Sequence, residues 1–254
     1  MKRILFLLLF LLLLNRVNAQ WFEIPNLTTF DDKKIHFGFT LGLNTADFAF
    51  QHYNTIKDNP LIAESNLTYT KLLDSVGYKL RADVASLTPG FTVGIVSNLR
   101  LTEYLDLRFL PGLSFIERKV VYNIPIYDAD ISGALKEHVV RSTYLDFALL
   151  LKYKSKRIIN HRPYMIGGLS LRQDISKSAT EDLLQLRKSN FYVEAGMGWD
   201  LYLQFFRLST ELKYCFGLGN ILSNNLPKYP QNQFYQLALK NLNSHMLILS
   251  FHFE

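Results

Sequence analysis

"KKIHFGFTLGLN", Lys33–Asn44, sets Ile35, Phe37, Phe39, Leu41 and Leu43 against His36, Gly38, Thr40, Gly42 and Asn44. A repeat of two is the signature of a β-strand, whose successive side chains point to opposite faces. One face here is bulky and apolar, the other small or polar. The fold depends on what each face meets, and on how often the pattern returns.

It returns in "GFTVGIVSNL" from Gly90, "YLDLRFLPGLSF" from Tyr104, "YLDFALLLKY" from Tyr144 and, more weakly, "YMIGGLSLRQ" from Tyr164. It is cleanest in "FYVEAGMGWDLYL" from Phe191 and "FRLSTELKYCFGLG" from Phe206, and it closes the chain in "HMLILSFHFE" from His245. Eight strands are therefore expected. Pro111 predicts a bulge or bend in the third, since proline cannot donate to a ladder. The connections alternate strictly. Long stretches lie at about residues 51–85, 117–142, 173–188 and 220–241, and short ones near Arg100, at 155–162 and at Gln204-Phe205. Long loops on one side and tight turns on the other, over an even strand number, describe an outer-membrane barrel with both chain ends on the turn side, in the periplasm.

The start of the chain fits that destination. Lys2 and Arg3, the apolar run Ile4–Leu14 and Val17-Asn18-Ala19 have the layout of a secretory signal peptide cut before Gln20. The apolar run falls short of the roughly 20 residues a spanning helix needs. Gln20 in place of cysteine excludes a lipidated amino terminus. With Cys215 as its only cysteine, the chain can form no internal disulfide. The pI near 9.2 overstates the charge. Without Lys2, Arg3 and Arg16, the 28 basic residues fall by three against 22 acidic ones, a balance of +3. That is no nucleic-acid-binding profile.

A water-soluble barrel also alternates, with its apolar face inward. Two features favour lipid outside. The polar face mixes glycine, serine and threonine with charges of both signs, as in Arg207, Glu211 and Lys213, and glycine weakens a strand unless close packing requires it. The apolar face is almost wholly Leu, Phe, Val, Met and Trp, with Tyr153, Phe206 and Phe253 placed where an aromatic girdle would sit. The expected fold is all-β: an eight-stranded antiparallel transmembrane barrel with long extracellular loops and short periplasmic turns. Residues 1–19 form the signal peptide, 20–34 a periplasmic segment and 35–254 the barrel.

"NLTTFDDKKIHFGFTLGLNTADF", Asn26–Phe48, resembles PorT-like proteins, called SprT in gliding bacteria, through Phe30, Asp31, Asp32, Lys33 and the "IHFGFTLG" that follows. Pro89-Gly90, Pro111-Gly112 and the "YLD" region from Tyr144 extend the similarity over the mature chain. The resemblance implies an outer-membrane component of the type IX secretion system of Bacteroidota. That system exports proteins bearing a C-terminal sorting domain and supports gliding motility. The family offers no catalytic residues to carry over.

The residues themselves point the same way. His36, His52, His138, His161, His245 and His252 form no ligand-spaced cluster, although His36 and His252 should both face the lumen near the periplasmic end. Ser250 and His252 share a face, but alternate residues lie about 6.5–7 Å apart, and a nucleophile needs its base within hydrogen-bond reach. No catalytic, cofactor-binding or metal residue is expected, and no cofactor. Asp106, Arg108, Asp146, Lys152, Arg172, Glu194, Asp200, Arg207, Glu211 and Lys213 should fill the lumen as a salt-bridged plug, because eight strands leave an interior only wide enough for side chains. Ser178 and Glu181 suggest a capping box opening a helical turn in one loop. The apolar segment Gln20–Lys34 is expected to plug the periplasmic mouth or to dock on a partner. Expected partners are outer-membrane lipid and other secretion components, with no nucleic acid and no small-molecule substrate. A general OmpA/OmpX-like small barrel for adhesion or envelope integrity is the alternative.

Overall fold

In the computed structural model, residues 24–54, 58–64, 81–123, 136–176, 184–228 and 230–254 are described. The expected leader and the start of the segment after it lie outside them. The strands are β1 (Ile35–His52), β2 (Arg81–Leu87), β3 (Pro89–Arg100), β4 (Leu105–Asn123), β5 (Lys136–Lys154), β6 (His161–Asp174), β7 (Ser189–Tyr202), β8 (Arg207–Gly217) and β9 (Leu239–Phe253). All pairings are antiparallel, and β9 closes onto β1 through Thr40↔His252 and Leu43↔Leu249. β2 and β3 lie end to end along β4, so nine strands make a ring of eight staves. The register slips between Val84 and Ser86 in the first of these segments. Pro89 opens the second, a place where its missing N–H costs no ladder bond.

On β1 the apolar face points out: Phe37 is 68% and Leu43 58% exposed, whereas Thr40 and Asn44 are buried. The same holds on every stave, with Leu149, Met165, Phe191, Leu212 and Leu249 all exposed. Such a belt is stable only against hydrocarbon. No helix among the described residues is long and apolar enough to cross a membrane; the crossing is made by strands.

The strands run further than their apolar faces. β4 and β5 have 19 residues each, while about 9–11 suffice to cross. Beyond Leu43 and Phe115 the outward positions turn polar at Asp47, Glu117 and Lys119, and the inward positions turn apolar at Phe48, Val120 and Tyr122. The hydrophobic phase inverts within a single strand because the outside changes from lipid to water. This corrects the expected loops at 117–142 and 51–85, which contain the ends of β4 and β5 and most of β2. The 220–241 stretch holds helix α1 (Pro230–Leu237) and the start of β9. Pro111 makes no bulge. It pairs with Phe147 in an unbroken β4–β5 ladder, and the β3–β4 register is the same on both sides of it, losing only the pairs opposite Leu110 and Pro111. Ser178 and Glu181 lie outside the described residues.

Candidate functional site: a bore closed at both ends

Inside the membrane belt, the bore is an ionic solid. The Lys152 ammonium donates to both Asp200 oxygens at 2.7 and 2.8 Å, and the Ser209 hydroxyl donates to Asp200 at 2.6 Å. Lys154 donates to Asp106 at 2.6 Å. Glu211 accepts from Arg108 at 2.7 Å and from the Tyr164 hydroxyl at 2.8 Å, with Lys213 at 3.6 Å and His252 at 3.5 Å. Glu194 takes Ser170 at 2.6 Å and both Arg172 and Lys213 at 3.0 Å. Glu254, just past β9, accepts from Arg207 at 2.6 Å, from the Asn98 amide, and from Arg108 at 3.4 Å. Desolvating each of these ions costs several kcal/mol, so the set is stable only as a connected whole. Above it Arg118 makes no ion pair among the described residues. Its guanidinium sits 4.5 Å from the centre of the Phe48 ring and donates to Ser244 at 3.0 Å, marking the top of the polar section.

The turn end is closed by the chain's own amino-terminal segment. Phe30–Asp32 forms one 3-10 turn. The Asp31 carboxylate accepts from the Tyr202 hydroxyl at 3.0 and 3.1 Å and pairs with Arg162 at 3.4 Å and Arg157 at 3.6 Å. Phe30 stacks on His36, ring centres 4.0 Å apart, beneath the Arg207 guanidinium at 4.6 Å. Asn26 donates through its amide N–H to Asn160 at 2.8 Å and through its side chain to the Tyr202 carbonyl at 3.0 Å.

Arg157 is the clasp of this lid. It stacks on Tyr202 at 3.6 Å and donates to the carbonyls of Asn26, Leu27 (3.3 Å) and Ile159 (2.7 Å). Leu27 and Ile159 are the two non-glycine residues with left-handed φ, 50° and 52°, among those described. Such a conformation is costly for a bulky or β-branched residue and persists only where its surroundings hold it. Removing hydrogen bonds from a charged donor costs about 1.5–3 kcal/mol. Arg157→Ala should therefore speed amide exchange at Phe30 and Asp32 by roughly ten- to a hundredfold. Unchanged exchange at those amides would refute the clasp.

The loop end is closed by hydrophobic packing. Phe48, Val120, Tyr122, Ile221, Leu237 and Leu242 form one buried cluster, with Tyr122 edge-on to Tyr235 of α1 at 4.7 Å. Side-chain amides fix the lid's backbone: Asn59 donates to the Leu237 carbonyl at 2.9 Å, and Gln236 to those of Ser223 and Asn225 at 2.8 and 2.9 Å.

All ten charges expected in the lumen are there and buried. Arg118, Lys154 and Arg162 belong with them, as does the enclosed side chain of Glu254. Lys154 was legible, being in phase with Lys152, whereas Arg118 lies in what reads as loop. Of the two histidines expected in the lumen, His252 faces Glu211 and pairs in register with Thr40, while His36 lies further out against Phe30. They do not meet. No hydrogen bond joins Ser250 to His252, and no group of three metal-binding side chains occurs among the described residues. His138 falls where side chains are not described. Tyr153, Phe206 and Phe253 all lie at the turn end, Phe253 stacked on Phe39 at 4.7 Å and 5.8 Å from Phe206.

A closed antiparallel ring with an apolar wall and an ionic bore defines a membrane-spanning barrel of outer-membrane type. A family model described as "Outer membrane protein beta-barrel domain" matches residues 18–223, and the chain belongs to that family. No curated protein matches the sequence significantly. Similar solved structures include Neisserial surface protein A (12% identity, 87% of this chain and 99% of that one, TM-score 0.42). OprG from Pseudomonas aeruginosa is 11% identical over 86% of this chain and 91% of its own, TM-score 0.41. Ail of Yersinia pestis is 8% identical over 87% and 99%, TM-score 0.36.

Proposed function

We propose that this protein is a small, non-enzymatic and non-conducting outer-membrane barrel that works through protein contacts at its two ends, in adhesion or envelope integrity. The observation that carries this reading is the filled bore: ions in the belt, a lid beneath and a hydrophobic cap above leave only the wall and the ends for function. In this reading a cleaved leader delivers the chain, the turn end and both termini face the periplasm, and the long loops face outward, as is general for such barrels. In planar bilayers the purified protein should hold conductance at background. Discrete open-channel steps would refute the plug.

A second reading makes it an accessory component of type IX secretion. The resemblance carries it, and one observation favours it: Phe30 and Asp31, from the motif that carries the resemblance, build the periplasmic lid together with His36. A deletion strain separates the two. Periplasmic retention of cargo bearing a C-terminal sorting domain, restored by the wild-type gene, would establish the secretion role. Normal export with a leaky or poorly adherent envelope would establish the first.

A further inference from the structure

One hollow of the molecule lies at neither end. It is a depression of about 700 Å³ in the outer wall, lined chiefly by Tyr153, Met165, Met197, Trp199, Thr210 and Leu212. Two adjacent rows of cross-strand partners build it. Tyr153, Met165, Met197 and Leu212 stand side by side across β5, β6, β7 and β8. In the next row towards the turns, Thr210 stands between Trp199 and Phe251. That one small residue between two large aromatics makes the hollow. Its hydroxyl is turned to the wall, donating to the Trp199 carbonyl at 3.4 Å, so the surface of the hollow is almost wholly apolar.

Position restricts the occupant. Thr210 is three residues along β8 from Arg207, roughly 10 Å at 3.4 Å per residue, and half the hydrocarbon core is about 15 Å. The hollow therefore sits within the leaflet on the turn side. Its rim is pliable: Met165 and Met197 are each 64% exposed, and methionine adapts to irregular apolar partners. At its turn-side edge the lining becomes polar. Ser155 borders it, the Trp199 indole N–H donates to His161 at 3.3 Å, and the neighbouring Lys156 is exposed with no ion pair among the described residues. An apolar trough bordered by Ser155, with the exposed Lys156 next along the chain in the turn, has the chemistry of one lipid: chain in the trough, phosphate at the lysine.

We propose that this hollow is a binding site for an acyl chain of an anionic phospholipid of the periplasmic leaflet, with Lys156 meeting its phosphate. Naming the leaflet rests on the orientation given above. Occupancy of the hollow does not, and it is read without reference to cargo export or adhesion, so the two readings fail separately.

The test uses the mature protein in phosphatidylethanolamine vesicles containing phosphatidylglycerol with a diazirine on its acyl chain. After irradiation, labelled peptides are mapped. Labelling at Met165 and Met197 is expected at several times the yield at Phe39 and Ile95, outward residues of β1 and β3 at like distance from the turns on the opposite wall. Thr210→Trp, which fills the floor, should bring that yield down to the level of the rest of the wall, and Thr210→Leu should lower it partly. Both change a lipid-facing residue, and an unchanged heat-shift on gels confirms folding. Lys156→Glu should reduce labelling from phosphatidylglycerol more than from a phosphatidylcholine probe. Uniform labelling around the barrel, or crosslinks between copies at this face without lipid enrichment, would overturn the proposal.

Discussion

Glu211→Ala is expected to lower the stability of the refolded barrel by about 3–5 kcal/mol, the cost of leaving buried charge unpaired. That is a large share of the 5–15 kcal/mol typical of a folded domain. Glu211 gathers Arg108, the Tyr164 hydroxyl, Lys213 and His252, so its loss strips several partners at once in a region closed to water. The urea midpoint of unfolding in lipid vesicles reads the loss directly. Its sign depends on pairing, not on charge as such. The double exchange Arg108→Met with Glu211→Leu should recover much of the loss, because Glu254 keeps Arg207 at 2.6 Å and Lys213 keeps Glu194 at 3.0 Å. A midpoint unmoved by Glu211→Ala, or a double variant no better than the single one, would show that the network does not hold the bore together.

Gly198→Val should be nearly as damaging, for a steric reason. Tyr164 and Gly198 are direct cross-strand partners, and the tyrosine ring lies across the glycine: a Cβ at 198 would come 2.3 Å from the ring and 2.4 Å from its hydroxyl oxygen. The ring cannot swing away cheaply. Its hydroxyl is bonded to Glu211, and the Lys152 ammonium lies 3.7 Å from the ring centre. Overpacking costs about 1–3 kcal/mol, and a lost buried hydrogen bond to Glu211 about as much again. Tyr164→Ala in the same chain removes the obstacle, so the double variant should lose clearly less than the sum of the single losses. The Thr210 carbonyl, 2.7 Å from the same Cβ position, keeps the rescue incomplete. Strictly additive losses in the double-mutant cycle would refute the interlock.

The same pair shows why glycine on a polar strand face was informative. Gly196 is a second case: a Cβ there would meet the Lys213 side chain at 2.8 Å. The small residues are the space that the long ones fill. The strand ends were misread because the hydrophobic phase inverts at the membrane surface. Phe48 and Val120 are apolar on the inward face, opposite to Leu43 and Phe115, so a reader following one phase stops there. Following both phases would have carried β4 and β5 to their full lengths.

Period-two alternation is a local property, set by each strand against its solvent. It therefore determined the barrel class, the stave number, the lipid-facing wall and ten of the luminal charges from the sequence alone. Which charge meets which is not local. Lys152 finds Asp200 across 48 residues, Asn98 finds Glu254 across 156, and Asn26 is held by Asn160 across 134. Those partners meet only when β9 closes on β1 and sets the height of each stave. The amino-terminal lid, the α1 cap and the wall hollow at Thr210 likewise arise from staves brought together by closure, and only the tertiary structure decided them.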